Sequence, residues 1–511
     1  MASIAWPGGP AGGINDFDDP SSIPPNQVVT CSNYYPIGKR WRLIEGNVAV
    51  TTSGYFANRV RHLIEYQPDD GSGGTSKYLL AILSTGFMWQ VDSPAPVALI
   101  PNLGPSPSQT SLYDHTVFQG TLYICSRDTA TYTVSSVLVP ALAFATQAGY
   151  IEAWKNRLMI ANYGTNTLTV AYSAFGLPTT FTGNDSGTEV VTTPFGDFIT
   201  GIRSTENYLA IFTRRTITLL IGDHPDNWTK RTIYEDHGTS SHRTVQRAFG
   251  GLIYANDAGV WFMDADGRRT ELSHDIRSYW QNKKALSTGR NKARGKFMHA
   301  VYDFTPELNR YMIWVSEGTA TDEGVCLIYH FNQQQWSRMD SFFDSGQACQ
   351  ASCLREDASG NIQPYFATGT NDNTTADKKI FNVDGSLSSF ASRTNGNIIA
   401  TLKTGIITPE LNPMLQVPGL TSVYHFEDVF FKTTDTPSSG TLSFTFASAQ
   451  KGTLTSQQTR TLTYTGSGNI IRERIPIGVT GYGLQITVSR TGQSDHDIIG
   501  GIIKATERGS V

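Results

Sequence analysis

Short runs of alternating apolar and polar residues, separated by Gly, Asn and Asp, repeat along the chain from about residue 55 to about residue 390. One unit reads HTVFQGTLYICS followed by TATYTVSS, and units recur every 40 to 55 residues or so. Alternation with a period of two predicts half-buried strands, and Gly or Asn between two runs predicts hairpin turns. About four short strands per unit at this spacing are typical of a β-propeller. The pattern therefore predicts an all-β fold, with a propeller of about six or seven blades over residues 46–393.

Two local features occur within this pattern: turn dipeptides and one helical segment. Turn dipeptides favour positive φ between the runs, and one helical segment interrupts them. In that segment Ile276, Tyr279 and Trp280 share a helical face and Ser273 stands where an N-cap is expected. The turn dipeptides are Gln119-Gly120, Lys155-Asn156, Asp266-Gly267 and Asp384-Gly385.

The two ends of the chain depart from the repeat. Residues 1–45 contain Pro20, Pro24, Pro25 and Pro36, which disfavour a long helix and predict an extended N-terminal arm that packs along a domain or reaches a neighbouring subunit. Residues 394–511 hold about seven alternating runs between Gly, Ser and Pro turns, and they predict a C-terminal β-sandwich.

Charge and composition narrow the functional classes. The chain has 40 basic and 44 acidic residues and a net charge of -4, so it lacks the global positive field of a tight DNA-binding protein. The five cysteines are scattered, which predicts free thiols in a reducing cytoplasm. Neither a signal peptide nor an apolar run long enough to span a bilayer is evident, so we expect synthesis in the cytoplasm and no membrane insertion.

Candidate chemical groups are few and dispersed. A glycosidase needs two carboxylates across one sugar, and the acids in the repeat stand at turns or strand ends, where solvated side chains are the rule. The DADG sequence lacks the later ligands of a calcium loop, and His237 and His242 lack a third ligand nearby. We therefore expect no catalytic residues, no cofactor and no metal. The acids considered are Asp114, Asp197, Glu206, Asp257 and Asp264.

One local basic run remains. It has two interpretations: a solvated connector or salt-bridged subunit contact, which the pattern favours, and a surface that faces DNA. Its residues are Lys283, Lys284, Arg290, Lys292, Arg294 and Lys296.

Three stretches resemble one protein family. The opening GGINDFDDPSSIPPNQVVTCSNYYPIGKRWRLIEG resembles the N-terminal segment of tail nozzle, or hub, proteins of short-tailed bacteriophages, in which a GG-N-DP-S-IP-NQ pattern precedes the first blade. LSHDIRSYW, leading to RYMIWVS and GVCLIYHFNQQQW, is similar to an aromatic-terminated blade of that family. The closing RERIPIGVTGYGLQITVSRTGQSDHDIIGGI is similar to its C-terminal β-domain. The middle blades resemble that family only in their general pattern.

The resemblance implies a structural protein of the virion tail, similar to the packaged-DNA stabilisation protein or to tail tubular protein B. In that family a homohexameric ring lies below the portal and adaptor proteins, continues the DNA channel, retains the genome and conducts it at ejection. Its partners would be the adaptor, tail fibre, spike or needle proteins, and genomic DNA in transient non-specific contact. No residue of the family carries out chemistry. A near-neutral ring also suits sliding DNA, because each neutralised phosphate adds affinity and drag.

Two other functional classes of protein remain as alternatives. A tail-associated propeller that binds or cleaves glycans would need paired carboxylates and an aromatic platform. The tryptophans stand at strand ends, which suits packing between blades better. A cellular propeller used as an interaction scaffold would leave the N-terminal arm and the sandwich without an obvious role.

Overall fold

The computed structural model describes most of residues 2–510. The ranges outside the described residues are 7–10, 45, 52–55, 57, 69–75, 93–96, 101–111, 137, 184, 235–236, 283–288, 321, 341–347, 357–359, 370–377, 385–391, 394–395, 398–399, 408–421, 435–439, 451–452, 465–469 and 493–496. The predicted all-β class is confirmed, because strands form nearly all the regular structure in this part of the chain. No helix in the described ranges has the length and apolar character needed to span a bilayer.

The N-terminal residues contribute strands to sheets that are formed much later in the chain. The strands are β1 (Ala2–Trp6), β2 (Val28–Ser32), β3 (Tyr34–Ile37), β4 (Arg40–Leu43) and β5 (Gly46–Ala49). β3 and β4 form a hairpin, and the other three pair with strands beyond residue 379.

The middle of the chain forms consecutive antiparallel sheets of four strands. The first sheet contains β6 (Val60–Tyr66), β7 (Tyr78–Leu83), β8 (Met88–Gln90) and β9 (Val97–Ile100). The second contains β10 (Tyr113–Phe118), β11 (Thr121–Ser126), β12 (Thr129–Val134) and the first half of β13 (Pro140–Trp154). The third contains the second half of β13, β14 (Arg157–Tyr163), β15 (Asn166–Tyr172) and β16 (Gly187–Val190).

Four more sheets follow. The fourth contains β17 (Ile199–Ser204), β18 (Tyr208–Thr213), β19 (Thr216–Ile221) and β20 (Thr229–Tyr234). The fifth contains β21 (Gln246–Ala248), β22 (Gly251–Ala255), β23 (Val260–Met263) and β24 (Arg269–Glu271). The sixth contains β25 (His299–Asp303), β26 (Arg310–Val315), β27 (Val325–His330) and β28 (Gln335–Met339). The seventh contains β29 (Ala348–Glu356), β30 (Ile362–Gly369) and β31 (Ile380–Asp384), and β5 from the start of the chain is its fourth strand.

Each of these sheets packs on the next and the seventh packs on the first, so the seven sheets form a closed ring within the chain. Alternating side chains of one strand enter the cores on its two sides: Leu63 of β6 lies in the core shared with the seventh sheet, and Ile64 in the core shared with the second. Separate apolar clusters likewise join each later pair of neighbouring sheets. Burial of both faces explains why β7, β18 and β26 are apolar along nearly their whole length.

The last strands are β32 (Ser392–Arg393), β33 (Gly396–Asn397), β34 (Ala400–Thr404), β35 (Ser422–Thr434), β36 (Gly440–Gln450), β37 (Thr453–Tyr464), β38 (Ile470–Gly481), β39 (Gly483–Gly492) and β40 (Asp497–Ser510). β32 and β33 form a small hairpin, and the others join β1 to β4 in a two-sheet domain. One sheet has the order β3-β4-β40-β35-β38, with β1 also on β40, and the other has the order β2-β34-β39-β36-β37.

The core of the two-sheet domain uses both ends of the chain. Trp6 stacks on Trp41, with ring centroids 5.2 Å apart, and both belong to the apolar cluster that includes Phe426, Phe444 and Ile503. The segment predicted as an extended arm is thus built into this domain. It is not a separate extension, because its strands supply hydrogen-bonding edges and buried aromatic rings to the C-terminal strands.

The predicted helical segment is confirmed but shorter and differently capped. A 3-10 turn (His274–Ile276) leads into α1 (Arg277–Gln281), and Ile276 and Trp280 are buried. The predicted Ser273 cap is wrong, because its hydroxyl accepts the backbone N–H of Val260. Further 3-10 turns are Pro225–Asn227, His242–Thr244 and Lys292–Phe297.

Candidate functional site

The first strands of the sheets surround a polar centre with two cavities. The smaller, of about 390 Å³, lies among β6, β10, β21, β25 and β29. The larger, of about 810 Å³, is lined by the start of β10, by residues of β13, β14 and β15, and by the segments that lead into β17, β21 and β25. Asp114, His242 and Arg243 line both cavities, so these three side chains stand where the two spaces meet.

Asp114 is the acid at this meeting point. It is 3% exposed, its carboxylate lies 3.0 Å from His242 Nε2, and it accepts the backbone N–H of Ile151 at 2.9 Å. Burial alone would raise the pKa of Asp114, but His242, Arg203 and the Ile151 N–H together lower it below its usual range. The expectation of a solvated acid is wrong here: Asp114 is the second residue of β10 and so stands near a strand end, but it is buried and faces the centre.

A second buried carboxylate organises the wall nearby. Glu152 is fully buried and accepts from Arg203 Nη1 at 3.0 Å, from the Ser204 hydroxyl at 2.8 Å and from Arg247. Arg247 also donates to the Ser204 carbonyl at 2.8 Å. These contacts tie the third, fourth and fifth sheets together with charge-assisted hydrogen bonds.

Buried imidazoles complete the centre. His62 and His115 of the first two sheets lie 2.7 Å apart, nitrogen to nitrogen, and His299 lies 2.8 Å from the Ser352 hydroxyl. Burial lowers the pKa of His115 to about 4 and the pKa values of His62 and His299 well below the usual value. All three imidazoles are therefore neutral at pH 7, and in this form His62 and His115 can share a hydrogen bond in which one ring donates and the other accepts.

Of the other acids considered, Asp197 and Asp257 line the larger cavity together with Asp114, whereas Glu206 and Asp264 line neither cavity. Asp197 is half-buried, Glu206 and Asp257 are exposed, and Asp264 accepts backbone N–H groups in its turn. His237 packs against Trp261, with ring centroids 4.5 Å apart, whereas His242 lies at the centre of the ring. No group of three metal-binding side chains is found in the described ranges. All five cysteines are unpaired, as predicted.

The basic run contains residues outside the described ranges, two arginines that face carboxylates, and two exposed lysines. Lys283 and Lys284 lie outside the described residues. Arg290 is buried, with its guanidinium 3.0 Å from Asp257 and 4.8 Å from the ring centroid of Trp280. Arg294 lies 3.3 Å from Glu323. Lys292 and Lys296 are exposed and line the larger cavity.

Most of the central residues were missed by reasoning from the sequence alone. A usable signal was present: Glu152 is the one charged residue of β13, and it interrupts the apolar run at the end of that strand. A polar residue within such a strand indicates a face turned to a polar interior, since an unpaired buried charge is costly. Which of these residues meet depends on the closure of the ring.

A second feature is the junction between the ring and the two-sheet domain. Gly13 donates its N–H to Gln335 Oε1 at 2.9 Å, and Ile14 donates to the Trp336 carbonyl at 2.8 Å. Asp16 donates its N–H to the carbonyl of Asp275 and accepts the N–H of Tyr279 at 2.7 Å. The N-terminal segment is thus hydrogen-bonded to both the sixth sheet and α1.

Within the segment, buried polar groups hold the loop in shape. The Asn15 amide donates to Asp18 at 2.9 Å and to Gln27 at 2.8 Å, and the Gly12 N–H donates to the Asn26 carbonyl. The Trp41 indole donates to the Gly12 carbonyl at 2.8 Å. Side chains that are fully satisfied in this way specify one conformation of the loop.

A methyl group at Gly13 should loosen this junction. A Cβ there would lie 2.2 Å from the Trp336 carbonyl oxygen and 2.7 Å from its nitrogen, and backbone cannot yield as a flexible side chain can. We expect Gly13→Ala to destabilise the protein by about 2 to 4 kcal/mol, measured by urea denaturation. Gly324→Ala is the matched control, because nothing lies within 4 Å of its Cβ position. Equal midpoints for the two variants would show that Gly13 is not tightly packed.

Comparisons with known proteins find likeness in structure only. No protein-family model and no curated protein sequence matches the chain. The extracellular domain of a hybrid two-component system from B. thetaiotaomicron is 9% identical, with a TM-score of 0.42, over 78% of this chain and 45% of that one. The chain therefore spans less than half of that structure. The N-terminal domain of Nup159 is 10% identical, with a TM-score of 0.38, over 69% of this chain and 98% of that one. The WD40 domain of Neurospora crassa Pan2 is 10% identical, with a TM-score of 0.36, over 68% and 97%.

Proposed function

We propose that the chain is a structural subunit of the tail nozzle of a short-tailed bacteriophage. The observation that carries this proposal is the junction. Two of the three stretches that resemble the family are far apart in sequence, and they meet there: the GG-N-DP-S-IP-NQ segment bonds to α1 within LSHDIRSYW and to Gln335 and Trp336 at the start of β28. Contacts between these two stretches support one common architecture more strongly than two separate matches would.

The proposal includes a fold of seven blades and a sandwich. The seven four-stranded sheets would be the blades of one propeller, closed by β5, and the two-sheet domain would be a β-sandwich assembled from both ends of the chain. Ring closure by the first residues links the propeller to the sandwich, since β4 pairs with β40 and β5 with β31. This construction suits a subunit that must bear load between neighbouring parts of a tail.

In this role six copies would form a ring below the portal and adaptor proteins, and the channel along the ring axis would conduct DNA. Tail fibre, spike or needle proteins would attach to its outer or distal surfaces. The net charge of -4 supports transient contact with the genome, because few phosphates would be neutralised as the duplex slides.

Virus particles that lack this protein should fail to retain their packaged DNA. Particles of the parent virus assembled without this protein are expected to package DNA and then lose it, so that their DNA becomes accessible to nuclease. Adding back the purified chain should restore protection. If particles without the chain retain their DNA normally, the nozzle role is wrong, and cleavage of host surface glycans by the purified chain would then be measured for the alternative class.

A further inference from the structure

Five cations and four acids line the larger cavity at the centre of the ring, so the cations outnumber the acids by one. Asp114 is paired with His242, Asp257 is paired with the buried Arg290, Asp197 accepts two backbone N–H groups, and Asp128 is exposed. The cations that line the cavity are Arg127, Arg214, Arg243, Lys292 and Lys296.

None of these five cations has a carboxylate within ion-pair distance in the part of the chain that the structure describes. Arg127 donates only to neutral oxygens, at 2.7 Å to Asn162 Oδ1 and 2.8 Å to the Gly164 carbonyl. Arg243 donates to the Gln350 carbonyl at 2.7 Å. Both guanidinium groups are thus held in place by the fold. The charge of Arg243 is partly balanced by the buried Glu323, which interacts with it electrostatically, whereas Arg127 contacts neutral oxygens.

The shape and lining restrict what that partner can be. A space of about 810 Å³ falls within the range of roughly 300 to 1,000 Å³ that holds a drug-sized ligand or a short peptide segment. The ionised Asp114 at its inner end repels a second negative group that enters deeply. The ligand therefore carries its negative groups at positions that meet the outer Arg and Lys side chains.

Nucleic acid fits this lining less well than protein. Binding of a single strand relies on aromatic faces on which bases stack. Here Tyr113 is buried, and the ring of Tyr150 packs against His242, 5.1 Å away, whereas Phe198 keeps 44% of its surface exposed. A continuous phosphate chain would also pass the half-buried Asp197, whereas a peptide can place carboxylates at intervals.

We infer that the larger cavity is a docking site for a peptide segment of a partner protein that bears two or more carboxylates. The guanidinium groups of Arg127 and Arg243 recognise the carboxylates, and Lys292 and Lys296 attract the segment at the rim. This site does not depend on the nozzle role, since it rests on the cavity and its charges alone.

Fluorescence anisotropy with a labelled hexaglutamate peptide and the full-length chain tests this site. We expect saturable binding at low salt that the double variant Lys292→Glu/Lys296→Glu weakens by at least about tenfold. The matched control is Lys39→Glu/Arg508→Glu, which alters the net charge by the same amount at two exposed positions of the two-sheet domain and should leave binding unchanged. Because Lys292 and Lys296 are exposed, the double variant is expected to keep the melting temperature of the wild type.

Four results would overturn the inference. These are no binding of the peptide, equal binding by both double variants, tighter cavity-dependent binding of a single-stranded oligonucleotide, and displacement of the peptide by pyrophosphate at equal concentration. The third would identify a nucleic-acid site, and the fourth a site for small anions. An Arg214→Gln variant, which removes one rim charge without reversing it, should weaken peptide binding by a smaller factor.

Discussion

Acidification from pH 7 to pH 4 should unfold this protein. Burial lowers the pKa of His115 to about 4 and that of His330 to about 3, and it lowers those of His62 and His299 well below the usual value. The unfolded chain takes up these protons near pH 6.5, but the folded chain does not. Stability is therefore complete above pH 6.5 and falls with pH until each folded pKa is reached, by about 1.4 kcal/mol per pH unit for each imidazole.

Between pH 6.5 and pH 4, His115 and His330 alone would remove roughly 7 kcal/mol, which is comparable to the whole stability of a typical domain, and His62 and His299 act in the same direction. Burial raises the pKa values of Glu65, Asp275 and Glu323, so protonation of these three acids acts in the opposite direction, whereas protonation of Asp114, whose pKa is lowered by His242 and Arg203 despite its burial, adds to the loss. Urea denaturation at steps of half a pH unit measures how the free energy of unfolding changes with pH.

His330→Gln isolates one of these groups. His330 is 1% exposed and lies 2.7 Å from the Ser337 hydroxyl, and a glutamine amide can keep a hydrogen bond there. The variant should lose about 1.4 kcal/mol per pH unit less than the wild type between pH 6.5 and pH 4. His224→Gln changes an exposed imidazole and should leave the slope as it is. An identical slope in all three proteins would mean that His330 is not held neutral.

Asp303→Asn should cause the largest loss among single substitutions at neutral pH. Asp303 and Arg310 are cross-strand neighbours in the sixth sheet, their side chains are each 1% exposed, and the carboxylate lies 3.0 Å from Arg310 Nε. The asparagine retains the shape of the side chain and can accept from Thr305, but it removes the counterion of a buried guanidinium. We expect a loss of about 3 to 5 kcal/mol.

The comparison for this variant is Glu189→Gln, which breaks a partly exposed pair with Lys230. Its expected cost is at most about 1 kcal/mol. Thermal and urea denaturation of both variants measure the two losses of stability. Similar losses would show that burial of the Asp303–Arg310 pair does not govern its contribution.

Local structure was the part that the sequence could predict. Gly120, Asn156 and Gly267 have positive φ, as their residue types indicate, and Gln119 and Lys155 share it as the first residues of their turns. Asp384-Gly385 extends outside the described residues. The helical segment was found because its apolar spacing is local, but the Ser273 cap was not decided by local spacing, since its hydroxyl is used by a neighbouring strand.

Long-range pairing could not be predicted in the same way. The edges that β2 and β5 complete belong to strands more than 300 residues away, and proline and alternation indicate extended chain without indicating its partner. For the same reason Asp114 and His242 are ordinary residues in the sequence, and only closure of the ring brings them together.

Cryo-electron microscopy of the parent virion together with the purified protein tests the central claim most directly. The proposal predicts a sixfold ring of this chain on the tail axis, distal to the portal, with the N-terminal residues completing both the propeller and the sandwich of each subunit. A monomer or trimer attached to the side of the tail, or the absence of the chain from the virion, would contradict it.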